Sequence, residues 1–181
     1  MNFTPDELIR RLDKLSGERA NYESFWQDVS KYIIPRKAYI TRTKTPGTKY
    51  DYDIYDSTAM QSNLVLAAGL HSYLTNPNSR WFSLRIQDEE ANKDKQVKDW
   101  LSDTEERIYN TLNASNFNQQ IHELYIDLGC FGVACMYEEK DPGNTVRFYS
   151  RDIAEIYLVE NEKGQVDTVF RKFQLTVKQA Y

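Results

Sequence analysis

Cysteine and histidine are scarce in this chain, two of each, and no stretch stays apolar for long. Cys130 and Cys135 lie in the apolar segment GCFGVACMY, where small thiols pack as ordinary hydrophobes. Two cysteines exclude a disulfide framework, and with His71 and His122 they match no familiar zinc spacing. No uninterrupted apolar run approaches the roughly 20 residues that span a bilayer. The polar helix start after Met1 is not a secretory signal. A surplus of positive charge is also missing: the formal net charge is −4, which argues against a generally basic nucleic-acid coat. Internal repeats and low-complexity segments are absent. The segment GCFG lacks the glycine spacing that aims several backbone N–H groups at one phosphate. A protein made and used in a cytoplasm, without membrane, metal or cofactor, is the expectation.

Aromatic side chains are plentiful instead, with 13 tyrosines, eight phenylalanines and three tryptophans. Such residues bury large areas at low entropic cost and suit interfaces. The organising stretch runs from Ile54 to Ile86. Met60, Leu64, Ala67, His71 and Leu74 recur at helical spacing, Leu66, Leu70 and Tyr73 widen the face, and a largely buried helix from Ser57 to Leu74 is expected. Asp56 and Ser57 are N-cap types, and Pro77 stops the helix. Trp81, Phe82, Leu84 and Ile86 then alternate as a short strand does.

The first helix has the best-marked start. Thr4 caps, Pro5 takes the first helical position, and Glu7 completes a capping box. Leu8, Leu12, Leu15, Tyr22, Trp26, Val29 and Ile33 form its apolar stripe, with Arg19 in the seam, until Pro35 ends it. The spacing favours packing across a domain or a neighbouring subunit over a coiled coil. Ser16-Gly17 is a candidate kink.

Arg36 to Tyr52 interleaves Arg36, Lys37, Arg42, Lys44 and Lys49 with tyrosines. Two readings stay open: a solvated loop, or a basic arm that meets nucleic-acid phosphates or another subunit's acidic face. Further on, Val97, Leu101, Thr104, Ile108 and Leu112 define an amphipathic helix on which Asp103 and Arg107 pair one turn apart. Phe117, Ile121, Leu124 and Leu128 define another, ended by Gly129 and Gly132. The run from Val133 to Tyr137, the turn Asp141–Asn144 and the turn at Gly164 then mark antiparallel strands.

The expected fold is α+β, with about four N-terminal helices packed on a small antiparallel sheet in one domain over residues 1–181. Residues 1–35 form a long helix, 36–56 a basic loop, 57–130 a helical part with a short strand, and 131–175 antiparallel strands. Thr176 caps a helix that has completed one turn when the sequence stops, and continuation of the polypeptide is expected.

The segments YDSTAMQSNLVLAAGLHSYLTNPNSRWFSL, VKDWL, SNF, LYIDLGCFGVACMY and VDTVFRKFQLT together resemble the N-terminal part of the head-to-tail connector, or portal, proteins of short-tailed bacteriophages. The resemblance runs from Arg19 through Gln179. It implies a wing portion, ahead of a stem and clip, in a homo-oligomeric and usually twelve-fold ring at the capsid vertex. Double-stranded DNA passes through such a ring during packaging and ejection, and terminase, capsid and tail proteins attach to it. The location implied is the virion, after assembly in the host bacterial cytoplasm. Trp81, Phe82, Leu84, Trp100, Phe117 and Leu128 are then expected in the wing core. Tyr22, Trp26, Arg36, Lys37, Arg42, Lys44 and Lys49 are candidate contacts to another subunit or to DNA.

The competing classes are a nucleic-acid-binding module built on the basic loop and a metal-dependent nuclease or hydrolase. The latter would draw on Asp51, Asp53 and Asp56, or Glu89 and Glu90, with His71 or His122. Phosphoryl chemistry of that kind needs carboxylates converging on one ion. Asp51 and Asp53 share one face of a strand while Asp56 caps a helix, so non-enzymatic assembly is the expected function.

Overall fold

The structure is a computed structural model that describes residues 3–43, 45, 47 and 54–180, with only the backbone of residue 180. Helix α1 spans Pro5–Ile33, α2 Thr58–Leu74, α3 Lys95–Ala114, α4 Phe117–Phe131 and α5 Val177–Ala180. Strands β1 (Cys135–Asp141) and β2 (Thr145–Arg151) form one two-stranded sheet, and β3 (Ile156–Glu160) and β4 (Val166–Arg171) another. The fold is α+β, with two hairpins in place of the one small sheet expected. The chain divides into two compact units, residues 1–63, 130–135 and 151–181 in the first and 64–129 and 136–150 in the second.

In the first unit, the capping box closes α1 as its sequence requires. The Thr4 N–H donates to Glu7 Oε2 at 2.9 Å, and the Glu7 N–H donates to Thr4 Oγ1 at 3.4 Å. The Thr4 N–H, and then the Thr4 hydroxyl, hold the Glu7 carboxyl below its ordinary pKa. The helix continues through Gly17 to Ile33, then gives way to a 3-10 turn at Pro35–Lys37. Trp26, Ile34, Ala38, Ile153, Ile156 and Tyr157 are buried in this unit. Strands β3 and β4 are antiparallel with Tyr157 opposite Phe170. Asn161 shapes their turn: its Oδ1 accepts from the N–H of Lys163 at 2.9 Å and of Gln165 at 3.0 Å. Gly164 takes a φ of +71° there, where a side chain would be strained.

In the second unit, Ala67, Leu101, Phe117, Ile121, Tyr125, Ile126 and Phe148 are buried. Phe117 meets Phe148 edge-on at 5.2 Å and stacks on Trp81 at 6.1 Å. Asn116 joins helix to hairpin by accepting from the Phe148 N–H at 2.9 Å and donating to the Phe148 carbonyl at 2.8 Å.

Three local expectations need correction. The Trp81–Ile86 stretch is no strand. Its amides are met by side chains: those of Trp81 and Phe82 donate to Tyr109 Oη at 2.6 and 2.7 Å, that of Leu84 to Glu105 Oε1 at 2.6 Å, and that of Ile86 to Asn92 Oδ1 at 3.0 Å. Gly129 lies within α4, and the terminator is Gly132, whose φ of +73° is the left-handed conformation that glycine supplies after a helix. The third concerns α2, whose apolar side chains are mostly uncovered. Leu64, Val65, Leu66, Tyr73 and Leu74 are exposed, and only Asn63, Ala67 and Thr75 along this stretch are buried.

Candidate assembly surface

Arg19 is the centre of the first unit's interior. Its side chain is 11% exposed, and its Nε donates to Glu23 Oε1 at 2.8 Å. The rest of the guanidinium caps carbonyls: Ile153 at 3.0 Å, Ala154 at 3.3 Å, and Ile156 as well. The Tyr157 ring lies 4.0 Å beneath it. A planar five-donor fork suits this position because it meets several acceptors at once while its flat face stacks on an aromatic ring. The charge is thus consumed within the unit, and α1 is bound to the segment entering β3.

The root of the basic arm is fixed in the same way. Gln27 is buried; it donates to the Ala38 carbonyl at 3.0 Å and accepts from the Thr41 N–H at 3.1 Å. Lys37 forms an ion pair with Asp152 at 3.0 Å, and the Tyr39 hydroxyl bonds to the same carboxylate. Lys37 therefore points its charge inward, whereas Arg36 and Arg42 are exposed. Lys44 and Lys49 lie outside the described residues, as do Asp51 and Asp53. Tyr22 is 63% exposed while Trp26, 5.9 Å away ring to ring, is buried. Of the contact candidates, Tyr22, Arg36 and Arg42 thus stand at the surface.

The residues assigned to a core divide similarly. Phe117 is buried and Phe82 and Leu84 are half-buried. Trp100 is 62% exposed, and Leu128 and Trp81 are exposed to a lesser degree, the Trp81 ring still packing against Phe82, Tyr109 and Phe117. The physical reason is visible for Trp100: it lies beside the apolar stripe of α3, of which Leu101 alone is buried. On α2, Tyr73 is 89% exposed. Large apolar side chains left exposed together make this face a candidate interaction surface.

Two of the carboxylates weighed for catalysis, Asp56 and Glu90, have other partners. Asp56 accepts from the Thr58 hydroxyl at 2.9 Å and amide at 3.1 Å, which holds its carboxyl below its ordinary value and starts α2. Glu90 pairs with Lys93 at the surface. The His71 and His122 rings lie 5.7 Å apart, tilted by 44°. Among the described residues no three His, Cys, Asp or Glu side chains gather where they could hold a metal ion. Burial raises the Cys135 thiol above its ordinary pKa, against a smaller lowering by Arg151, which makes it a poor nucleophile.

Residues 5–181 match the family described as bacteriophage head to tail connecting protein. The chain belongs to that family. This connector-family chain is 31% identical over 175 residues to the portal protein of Salmonella phage epsilon15, covering 96% of this chain and 32% of that protein. It is 31% identical over 173 residues to a probable portal protein of Bordetella phage BPP-1, covering 95% and 31%. The chain spans about a third of the length of each of these relatives. Among its described residues no helix is long and apolar enough to cross a membrane.

Sequence reasoning missed three residues that shape this connector chain: Gln27, Tyr109 and Asp152. Each acts on backbone or side chains distant in sequence, so no local pattern announces it. Arg19 carried a signal, a cation in an apolar seam, that asks for a partner.

Proposed function

We propose that this chain is part of a portal subunit, a structural component of the homo-oligomeric ring at the capsid vertex. Double-stranded DNA enters and leaves through that ring, and terminase, capsid and tail proteins dock on it. The observation that carries this reading is the family match over nearly the whole chain, joined by two portal relatives. The uncovered apolar faces of α2 and α3 support it, because a ring subunit must bury surface against neighbours. Twelve-fold assembly in the host cytoplasm, incorporation into the virion and a non-catalytic role belong to the same proposal.

Within it, Phe82, Leu84 and Phe117 hold the second unit together, while Trp81, Trp100 and Leu128 meet neighbouring protein. Tyr22, Arg36 and Arg42, with Lys44 and Lys49, face an adjacent subunit; Trp26 and Lys37 support that face from within. The alternative target of the arm is DNA phosphate, for which binding would fall steeply with salt. A phage whose reading frame for this chain is interrupted by a stop codon tests the proposal. Capsids without packaged DNA are expected, with filled heads returning when the intact gene is supplied in trans. DNA-filled heads in the absence of the gene product would overturn it.

A further inference from the structure

The first unit contains a groove of about 430 Å³ between α1 and β3. Leu15, Glu18 and Tyr22 line it from the helix, and Tyr157, Leu158 and Glu160 from the strand. Among the described residues β3 pairs only with β4, so its other edge is open. The direction of that edge follows from the register. The Lys172 N–H donates to the Glu155 carbonyl at 2.8 Å, which makes residues 155 and 172 a hydrogen-bonded pair. Alternation along an antiparallel ladder then turns the backbone groups of Ile156 and Leu158 away from β4. The Ile156 carbonyl is met from that side by Arg19, while the N–H and C=O of Leu158, next along, face the groove.

An open edge beside an apolar groove receives an extended segment as an added strand. The rim selects its charge. Arg19 is spent on Glu23 and three carbonyls, so the rim charges left are those of Glu18 and Glu160, the first met among the described residues by Lys14 at 3.7 Å with both side chains largely exposed. A basic extended segment therefore fits. The chain carries one in Arg42-Thr43-Lys44-Thr45, which alternates long cations with β-branched threonines at the period of a strand. It follows Thr41, which Gln27 fixes.

We propose that the groove between α1 and β3 receives residues 42–45 of a second copy of this chain, added to the open edge at Leu158 and held by Glu18 and Glu160. The inference rests on the ring-subunit reading above. One acceptor groove and one donor arm per chain make a heterologous contact, the kind that closes into rings.

The test is fluorescence anisotropy of a labelled peptide, Arg-Thr-Lys-Thr-Pro-Gly-Thr-Lys, titrated with the 181-residue chain. Saturable binding is expected, weakened about tenfold or more by combined Glu18→Lys and Glu160→Lys. A peptide with its three cations changed to Glu should regain binding to that double variant, which also shows that the variant folds. No saturable binding, or equal affinity for both chains, overturns the inference. If the peptide binds only after the chain's own residues 42–49 are replaced by Gly and Ser, the arm fills its own groove and the second-copy assignment falls. Rings formed undiminished by the charge-reversed subunit would sink the inference and leave the portal reading standing. Absence of rings from the unaltered subunit would sink the portal reading itself.

Discussion

Arg19 occupies the place in the α1 seam where an apolar residue would otherwise pack, and its guanidinium holds three carbonyls, Glu23 and the Tyr157 face. Replacing it with Met keeps the bulk but leaves Glu23 and those carbonyls without their donor. Breaking such a pair costs roughly 3 kcal/mol, and urea unfolding of Arg19→Met should show a loss of that order. A loss below about 0.5 kcal/mol, the range of ordinary surface changes, would mean that the clamp is ornamental. His71 makes a second prediction. Burial, and then the neighbouring His122, lower its pKa below the ordinary value, and its Nε2 is buried without a hydrogen-bond partner among the described residues. The unfolded chain therefore takes up the proton first as pH falls. The stability contribution is intact above about pH 6.5 and is lost as pH drops through that value. Tm should fall between pH 7.5 and pH 5.5, and His71→Asn should flatten the slope. An unchanged slope would assign the acid sensitivity elsewhere.

At the scale of elements, legibility tracked how local each cause is. The Thr4 capping box, the stop at Pro35, the Asp56 cap of α2, the Asp103–Arg107 pair at 2.8 Å and both hairpin turns depend on neighbours within a few residues, and all could be read in the sequence. The Trp81–Ile86 stretch could not, because alternation at period two describes any extended chain with one covered side. What separates a strand from this segment is where its amides go, and they go to Tyr109, Glu105 and Asn92 from elsewhere in the sequence. Tyr109 serves three backbone groups, accepting from two and donating to the Phe82 carbonyl at 3.0 Å. Tyr109→Phe keeps the ring and its stacking on Phe82 at 4.4 Å but removes the oxygen. Each amide left unmet while half-covered costs about 1–3 kcal/mol. Amide hydrogen exchange at Trp81 and Phe82 should accelerate markedly in this variant, while exchange in α1 stays as it was. Unchanged protection at those two amides would show that water replaces the hydroxyl without loss.

For the whole molecule, the division into two units and the uncovered state of α2 were the features least visible in the sequence. Apolar periodicity shows that a face will be buried; it does not say whether the covering body is the same chain. Leu64, Leu66, Trp100 and Leu128 all read as core residues, and all stand exposed, as does Val65 beside them. The ring assembly proposed above accounts for this, since a ring subunit buries such faces against its neighbours. Because those side chains contribute little to the folding of the chain alone, Val65→Lys should leave its stability within about 0.5 kcal/mol of the original by urea unfolding. A loss of several kcal/mol would place Val65 in an interior after all. The most direct test of the central claim is negative-stain electron microscopy of the product of the complete reading frame that contains this chain. Rings with a central hole are predicted, and their absence from a folded product at high protein concentration would contradict the assignment to a portal.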